Sequence, residues 1–112
     1  MSTAAAIEPR VLRLTLKKKW FDMIASGEKK EEYREIKQHW SSRLTKERVF
    51  YGNMREFDVV EFTNGYGADK PRIVFECECL TVDYGNTDWG AEEGEIYFVI
   101  KLGAEISRAN FN

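Results

Sequence analysis

Period-two alternation constrains this chain more than any other feature. In Val11-Leu12-Arg13-Leu14-Thr15-Leu16 every second residue is leucine, which places all three on one side of an extended strand. The pattern returns in Arg72–Asp83, where Ile73, Phe75, Cys77 and Cys79 share a face, and in Ile96–Leu102, where Ile96, Phe98, Ile100 and Leu102 point inward. Between them, Phe57-Asp58-Val59-Val60-Glu61-Phe62-Thr63 is dense in β-forming residues. These runs predict a sheet with one buried face, and Leu14, Phe62, Phe75, Cys77 and Phe98 are its expected core.

Helical spacing enters early. Trp20, Phe21, Met23 and Ile24 make an apolar stripe within Lys17–Ser26. The helix starts on Lys17, Lys18 and Lys19, where its dipole disfavours cations. Such lysines are either solvated or held for an anionic partner.

Next comes Gly27-Glu28-Lys29-Lys30-Glu31-Glu32-Tyr33-Arg34, the densest group of ionisable side chains in the chain. Two readings fit the residues. In one, the helix continues, because Tyr33, Ile36, Trp40 and Leu44 recur at helical spacing. In the other, Gly27 ends the helix as its C′ residue and an extended element begins near Glu31.

The order Gly27-x-Lys29-x-x-Glu32-x-Arg34 resembles the GxKxxExR motif of the ASCH domains, small modules of the PUA-like group. The resemblance covers most of residues 11–103, with a strand and short helix before the motif and strands after it. It implies the second reading: the chain leaves the helix at Gly27, enters a strand over Glu31–Ile36 and lines a cleft beside a barrel. Gln38–Leu44 is then a short helix. The implied fold is α+β, a small mixed PUA-like β-barrel with two short helices in the N-terminal half. The expected organisation is a flexible segment over 1–10, one domain over 11–103 and a tail over 104–112.

Composition agrees with one domain: 112 residues, 43% hydrophobic and 13% aromatic. No apolar run approaches the ~20 residues of a membrane helix. The N-terminus carries no secretion-signal pattern, and the chain is read as cytoplasmic with no membrane partner. Cys77, Cys79 and the single histidine, His39, fall short of a structural zinc set. Both cysteines are expected as buried packing. No metal or cofactor is expected, and no phosphate-binding loop or dinucleotide fingerprint is present. The net charge of −2 conceals a split. Residues 1–55 hold 13 Lys and Arg against 7 Asp and Glu, and residues 56–112 hold 4 against 12. The split means a basic face for an anionic partner, unless the two halves interleave and their fields cancel.

Lys29, Glu32 and Arg34 are the first site candidates. Arginine offers a planar fork for phosphate or a base edge, and glutamate accepts from an exocyclic amine. Glu32 and Arg34 share one face of a strand, whereas Lys29 has the opposite parity and must lie in the preceding turn. The plain alternative is a Glu32–Arg34 surface pair worth under ~1 kcal/mol. Tyr33, Trp40, Tyr51 and Tyr66 are stacking candidates, with Tyr33 and Tyr66 placed in the ligand site. Lys17, Lys18, Lys19, Arg43, Lys46 and Arg48 are the expected contacts to a nucleic-acid backbone.

Some small members of the ASCH family resemble amidohydrolases that deacylate a modified cytidine with a lysine, a threonine and a glutamate. Lys29 matches the lysine, but Glu32 stands where the threonine would be. The first expectation is therefore a module that binds RNA or a modified nucleoside. The alternative is a small hydrolase, either nucleoside amidohydrolase or ribonuclease, in which Lys29 and Glu32 are catalytic. A protein-interaction module ranks third.

Overall fold

The computed structural model describes residues 8–50 and 52–111. Tyr51 and residues 1–7 of the expected N-terminal segment lie outside them. In chain order the elements are β1 (Val11–Leu16), α1 (Lys18–Ala25), β2 (Glu31–Glu35), α2 (Gln38–Leu44), β3 (Val59–Asn64), β4 (Arg72–Tyr84), a short 3-10 turn (Thr87–Trp89) and β5 (Ile96–Ala109). Among the described residues the strands form one five-stranded sheet in the order β1-β3-β4-β5-β2. β1 runs parallel to β3, and the other neighbours are antiparallel. The sheet curls into a half-barrel.

The alternation does what period two demands. Leu12, Leu14 and Leu16 of β1, Val60 and Phe62 of β3, Ile73 and Phe75 of β4, and Phe98 and Ile100 of β5 fill one core with Phe21, Ile24 and Leu44 from the helices. Burying each large side chain contributes about 1.5–3 kcal/mol relative to exposure. Helix α1 ends where the sequence places its end. Gly27 has φ +87°, and the amides of Ser26, Gly27 and Lys29 donate to Asp22, Ile24 and Met23 carbonyls. The left-handed turn at Gly27 stops the helix and sends the octet into β2.

Three expectations about the strands need correction. Cys79 is exposed, and Cys77 is only half-buried against the core. Cys77 pairs with Leu102 and Cys79 with Lys101, so β4 spends two residues where β5 spends one. This bulge reverses the parity of β4. Cys79 turns outward with Lys101, and Leu80 takes the inward place opposite Ile100. Ile96, expected inward, is 40% exposed at the first pair of the β4–β5 ladder. The segment expected as a tail is instead strand as far as Ala109, paired with the start of β4.

The charge split also acquires a spatial meaning. The basic half supplies both edge strands, β1 and β2, and the acidic half supplies the three central ones. The halves interleave at ion pairs such as Arg10–Asp58 and Arg13–Glu61. Where the curled edges approach each other, basic-half residues face basic-half residues. The link is direct: Arg34 Nη2 on β2 donates to the Thr15 carbonyl on β1 at 3.4 Å.

Candidate functional site

The approach of β1 and β2 leaves a cleft of about 600 Å³ between them. Its charged wall is a row of three side chains. Lys29 Nζ lies 3.2 Å from Glu32 Oε1, and Arg34 Nη2 lies 3.0 Å from Glu32 Oε2. The side chains of Lys29, Glu32 and Arg34 are 2%, 8% and 18% exposed, so Glu32–Arg34 is not the surface pair of the plain alternative. Glu32 and Arg34 pair across to Ile100 and Phe98 and share their face of the sheet. Lys29 sits in the turn before β2 and reaches the row from there.

Each cation has further partners. Lys29 Nζ also donates to the Trp89 carbonyl. It lies 4.8 Å from the Trp20 ring centroid and 4.9 Å from that of Tyr33. The guanidinium groups of Arg34 and Arg43 both lie over the Trp40 ring, at 4.8 and 5.0 Å. Arg34 Nε is buried with no hydrogen-bond partner among the described residues, an exception in packed interiors. Burial pushes the Lys29 ammonium below the ordinary lysine value, against the pull of Glu32, and it lowers the Arg34 guanidinium likewise. Desolvation prevails in both cases.

The acidic connection between β4 and β5 builds the far wall. Tyr33 points to the opposite face from Glu32, and its hydroxyl donates to Glu31 Oε1 at 2.8 Å and accepts from the Asn86 amide at 2.9 Å. The Glu92 amide donates to the Tyr97 hydroxyl at 2.9 Å. Burial raises the Tyr33 phenol well above its usual value. Gly90 has φ +105°, and a Cβ there would meet the Trp20 ring at 3.1 Å. Glycine lets the connection close on Trp20 and carry Trp89 to Lys29.

The structure thus brings Lys29, Glu32, Arg34, Tyr33 and Tyr66 to one cleft, with Lys17 and Lys18 also in its lining. Lys18 is tied to Asp22 at 2.6 Å, and Lys19 lies over the Trp20 ring at 4.6 Å. Arg43 joins the site only through Trp40 and donates to the Arg13 carbonyl at 3.2 Å. Lys46 and Arg48 are not brought there; Lys46 lines a separate hollow with Arg10 and Arg55. Sequence reasoning missed Trp20, Trp89 and Thr15. Trp89 did carry a signal, a large aromatic within a glycine-rich acidic connection.

A larger hollow of about 820 Å³ shares Lys29 and Trp89 with the cleft, but its other charges are the mixed set Lys30, Glu31, Glu76, Glu78 and Lys101. Among the described residues, no three His, Cys, Asp or Glu side chains gather in a metal-binding group. No described helix is long and apolar enough to cross a membrane.

No protein-family model, curated protein or solved structure matches the chain.

Proposed function

We propose that the chain is an ASCH-type, PUA-like module whose cleft takes a nucleobase, from RNA or from a modified nucleoside. The carrying observation is the buried Lys29–Glu32–Arg34 row opening into a cleft of about 600 Å³. That volume lies in the range of small-molecule sites. Glu32 offers an acceptor for an exocyclic amine, and Arg34 offers donors to a base edge. Trp20, Trp89 and the exposed Tyr66 supply aromatic surface, and Lys17 and Lys18 in the lining supply positive charge for a phosphate. Burying such a row is costly, and apolar side chains would hold the strands as well. A polar ligand accounts for the charges.

Titration of the protein with nucleosides and short single-stranded RNA tests this reading. Glu32→Gln keeps the shape and weakens binding by about 1–3 kcal/mol. Arg34→Lys removes the fork and acts in the same direction. RNA binding weakens with salt by about 0.7 in log K per log salt for each phosphate contact, and charge removal at Lys17, Lys18 and Lys19 lowers that slope. Absence of binding at low salt, or full affinity in both cleft variants, contradicts the reading.

One observation favours the hydrolase as a second reading: Lys29 is buried beside a carboxylate, with its pKa pushed down. Glu32 would then activate water, and Lys29 and Arg34 would stabilise the developing oxyanion. Both Glu32 oxygens are held by cations, an arrangement better suited to recognition than to proton abstraction. If the hydrolase reading holds, wild-type protein releases acid from an acylated nucleoside or cuts RNA, and Glu32→Gln lowers turnover by roughly 10²-fold while affinity changes little.

A further inference from the structure

The cleft has a neighbour. Thr15, Gly65 and Tyr66 line it on one side and a groove of about 460 Å³ on the other. The groove lies on the outer face of β1, β3 and β4. Register places Thr15 beside Thr63 and Thr63 beside Arg72, with Arg13 next to Glu61 in the adjoining row. These residues alternate with Leu14, Phe62 and Ile73 of the core, so their side chains face away from it. Two arginines and one carboxylate leave the groove cationic. Arg13 Nε is 3.3 Å from Glu61 Oε1, which offsets part of its charge, and Arg72 Nη2 donates to the Ala68 carbonyl at 3.0 Å.

Tyr66 divides the two spaces. It is 85% exposed, so it contributes almost nothing to the core. Gly65 and Gly67 on either side have φ +82° and +129°, backbone conformations that favour glycine. Arg72 ties down the same turn. An exposed ring between two hollows, with cations in both, matches how single strands are bound. Cations follow the backbone while successive bases stack on aromatic faces. A free nucleoside would need only the cleft.

We infer that the groove is a second nucleotide subsite, so that the ligand is a single RNA strand of at least two nucleotides. One base enters the cleft, the strand crosses Tyr66, and the neighbouring nucleotide lies over Thr15 and Thr63 with its phosphate at Arg72 and Arg13. This rests on the nucleobase reading of the cleft.

The test compares the four nucleosides with dinucleoside monophosphates of the same bases, by calorimetry on the full chain at low salt. The dinucleotide is expected to bind roughly tenfold tighter than its better nucleoside, from one added phosphate contact and one added stack. Arg13→Gln alone should leave nucleoside affinity unchanged, and Arg13→Gln with Arg72→Gln should abolish the dinucleotide gain. Arg13→Gln alone, which does not touch the Tyr66 turn, should remove part of it. Equal affinity for nucleoside and dinucleotide overturns the subsite and leaves the cleft reading standing, as does a gain that survives both arginine substitutions. If neither ligand binds, the cleft reading fails and the subsite with it.

Discussion

Two of the ion-pair clusters among the described residues set basic side chains against carboxylates at similar distances and in very different surroundings. At the β1–β3 edge, Arg10 meets Asp58 at 3.0 Å and Glu56 at 3.2 Å, with side chains 57%, 43% and 71% exposed. At the cleft, Lys29, Glu32 and Arg34 meet at 3.2 and 3.0 Å, and the most exposed of the three is Arg34 at 18%. Water solvates the first cluster whether or not its pairs form, so its geometry carries little consequence. The second cluster has exchanged water for its own partners, and each member depends on the others. Distance alone does not separate a clasp from a site. Burial does, together with the cavity onto which the buried row opens.

Removing Glu32 should produce the largest effect. Glu32→Ala leaves two buried cations facing each other and should cost about 3–5 kcal/mol in urea unfolding. A loss as small as that of a surface substitution would erase the distinction between the clusters.

Lys29 gives a smaller effect of definite sign. Its folded pKa is lowered from 10.5. Between the lowered value and 10.5, the unfolded chain holds a proton that the folded chain has released. Stability from this group therefore rises with pH across that window. Unfolding free energies taken up to pH 10 should climb more steeply in wild type than in Lys29→Met. Staying below pH 10 avoids Tyr33, whose raised phenol pKa has the opposite sign, since the unfolded chain loses that proton first. Equal slopes in the two proteins would mean that Lys29 is solvated.

The smallest effect belongs to the exposed cluster. Arg10 holds the Asp58 carboxyl below its ordinary value of 3.8. Its contribution is complete above that value and disappears as pH falls through the lowered one. Asp58→Asn should cost only a little stability at pH 7, and that difference from wild type should vanish as pH falls through the lowered value. A large loss at neutral pH would make this clasp the equal of the buried row.

Much of this contrast was legible in the residues. Alternation located β1 and the core positions Leu14, Phe62, Phe75 and Phe98, all buried. Helical spacing located α1, and the parity of Lys29 against Glu32 and Arg34 put the lysine in a turn. Helix or strand after Gly27 was not decidable from periodicity, because Tyr33, Ile36, Trp40 and Leu44 fit a helix; the motif resemblance chose the strand. The bulge that turns Cys79 outward was hidden, since one extra residue in a ladder leaves no mark on the pattern of a single strand. The course of β5 to Ala109 was hidden too, because Glu105 and Arg108 read as solvated tail. The closure of β1 on β2 is a property of the whole curled sheet. It decides that Lys17 and Lys18 reach the cleft while Lys46 lines a separate hollow.

The central claim is that the buried row, and not the basic surface at large, receives the ligand. Amide and side-chain NMR of the full chain during titration with a short single-stranded RNA tests it most directly. Saturable shifts should centre on Lys29, Glu32, Arg34 and Tyr66, including the Arg34 Nε–H signal, and extend to Lys17 and Lys18. Shifts confined to Lys46, Arg48 and Arg55, or no shifts at low salt, would contradict the claim.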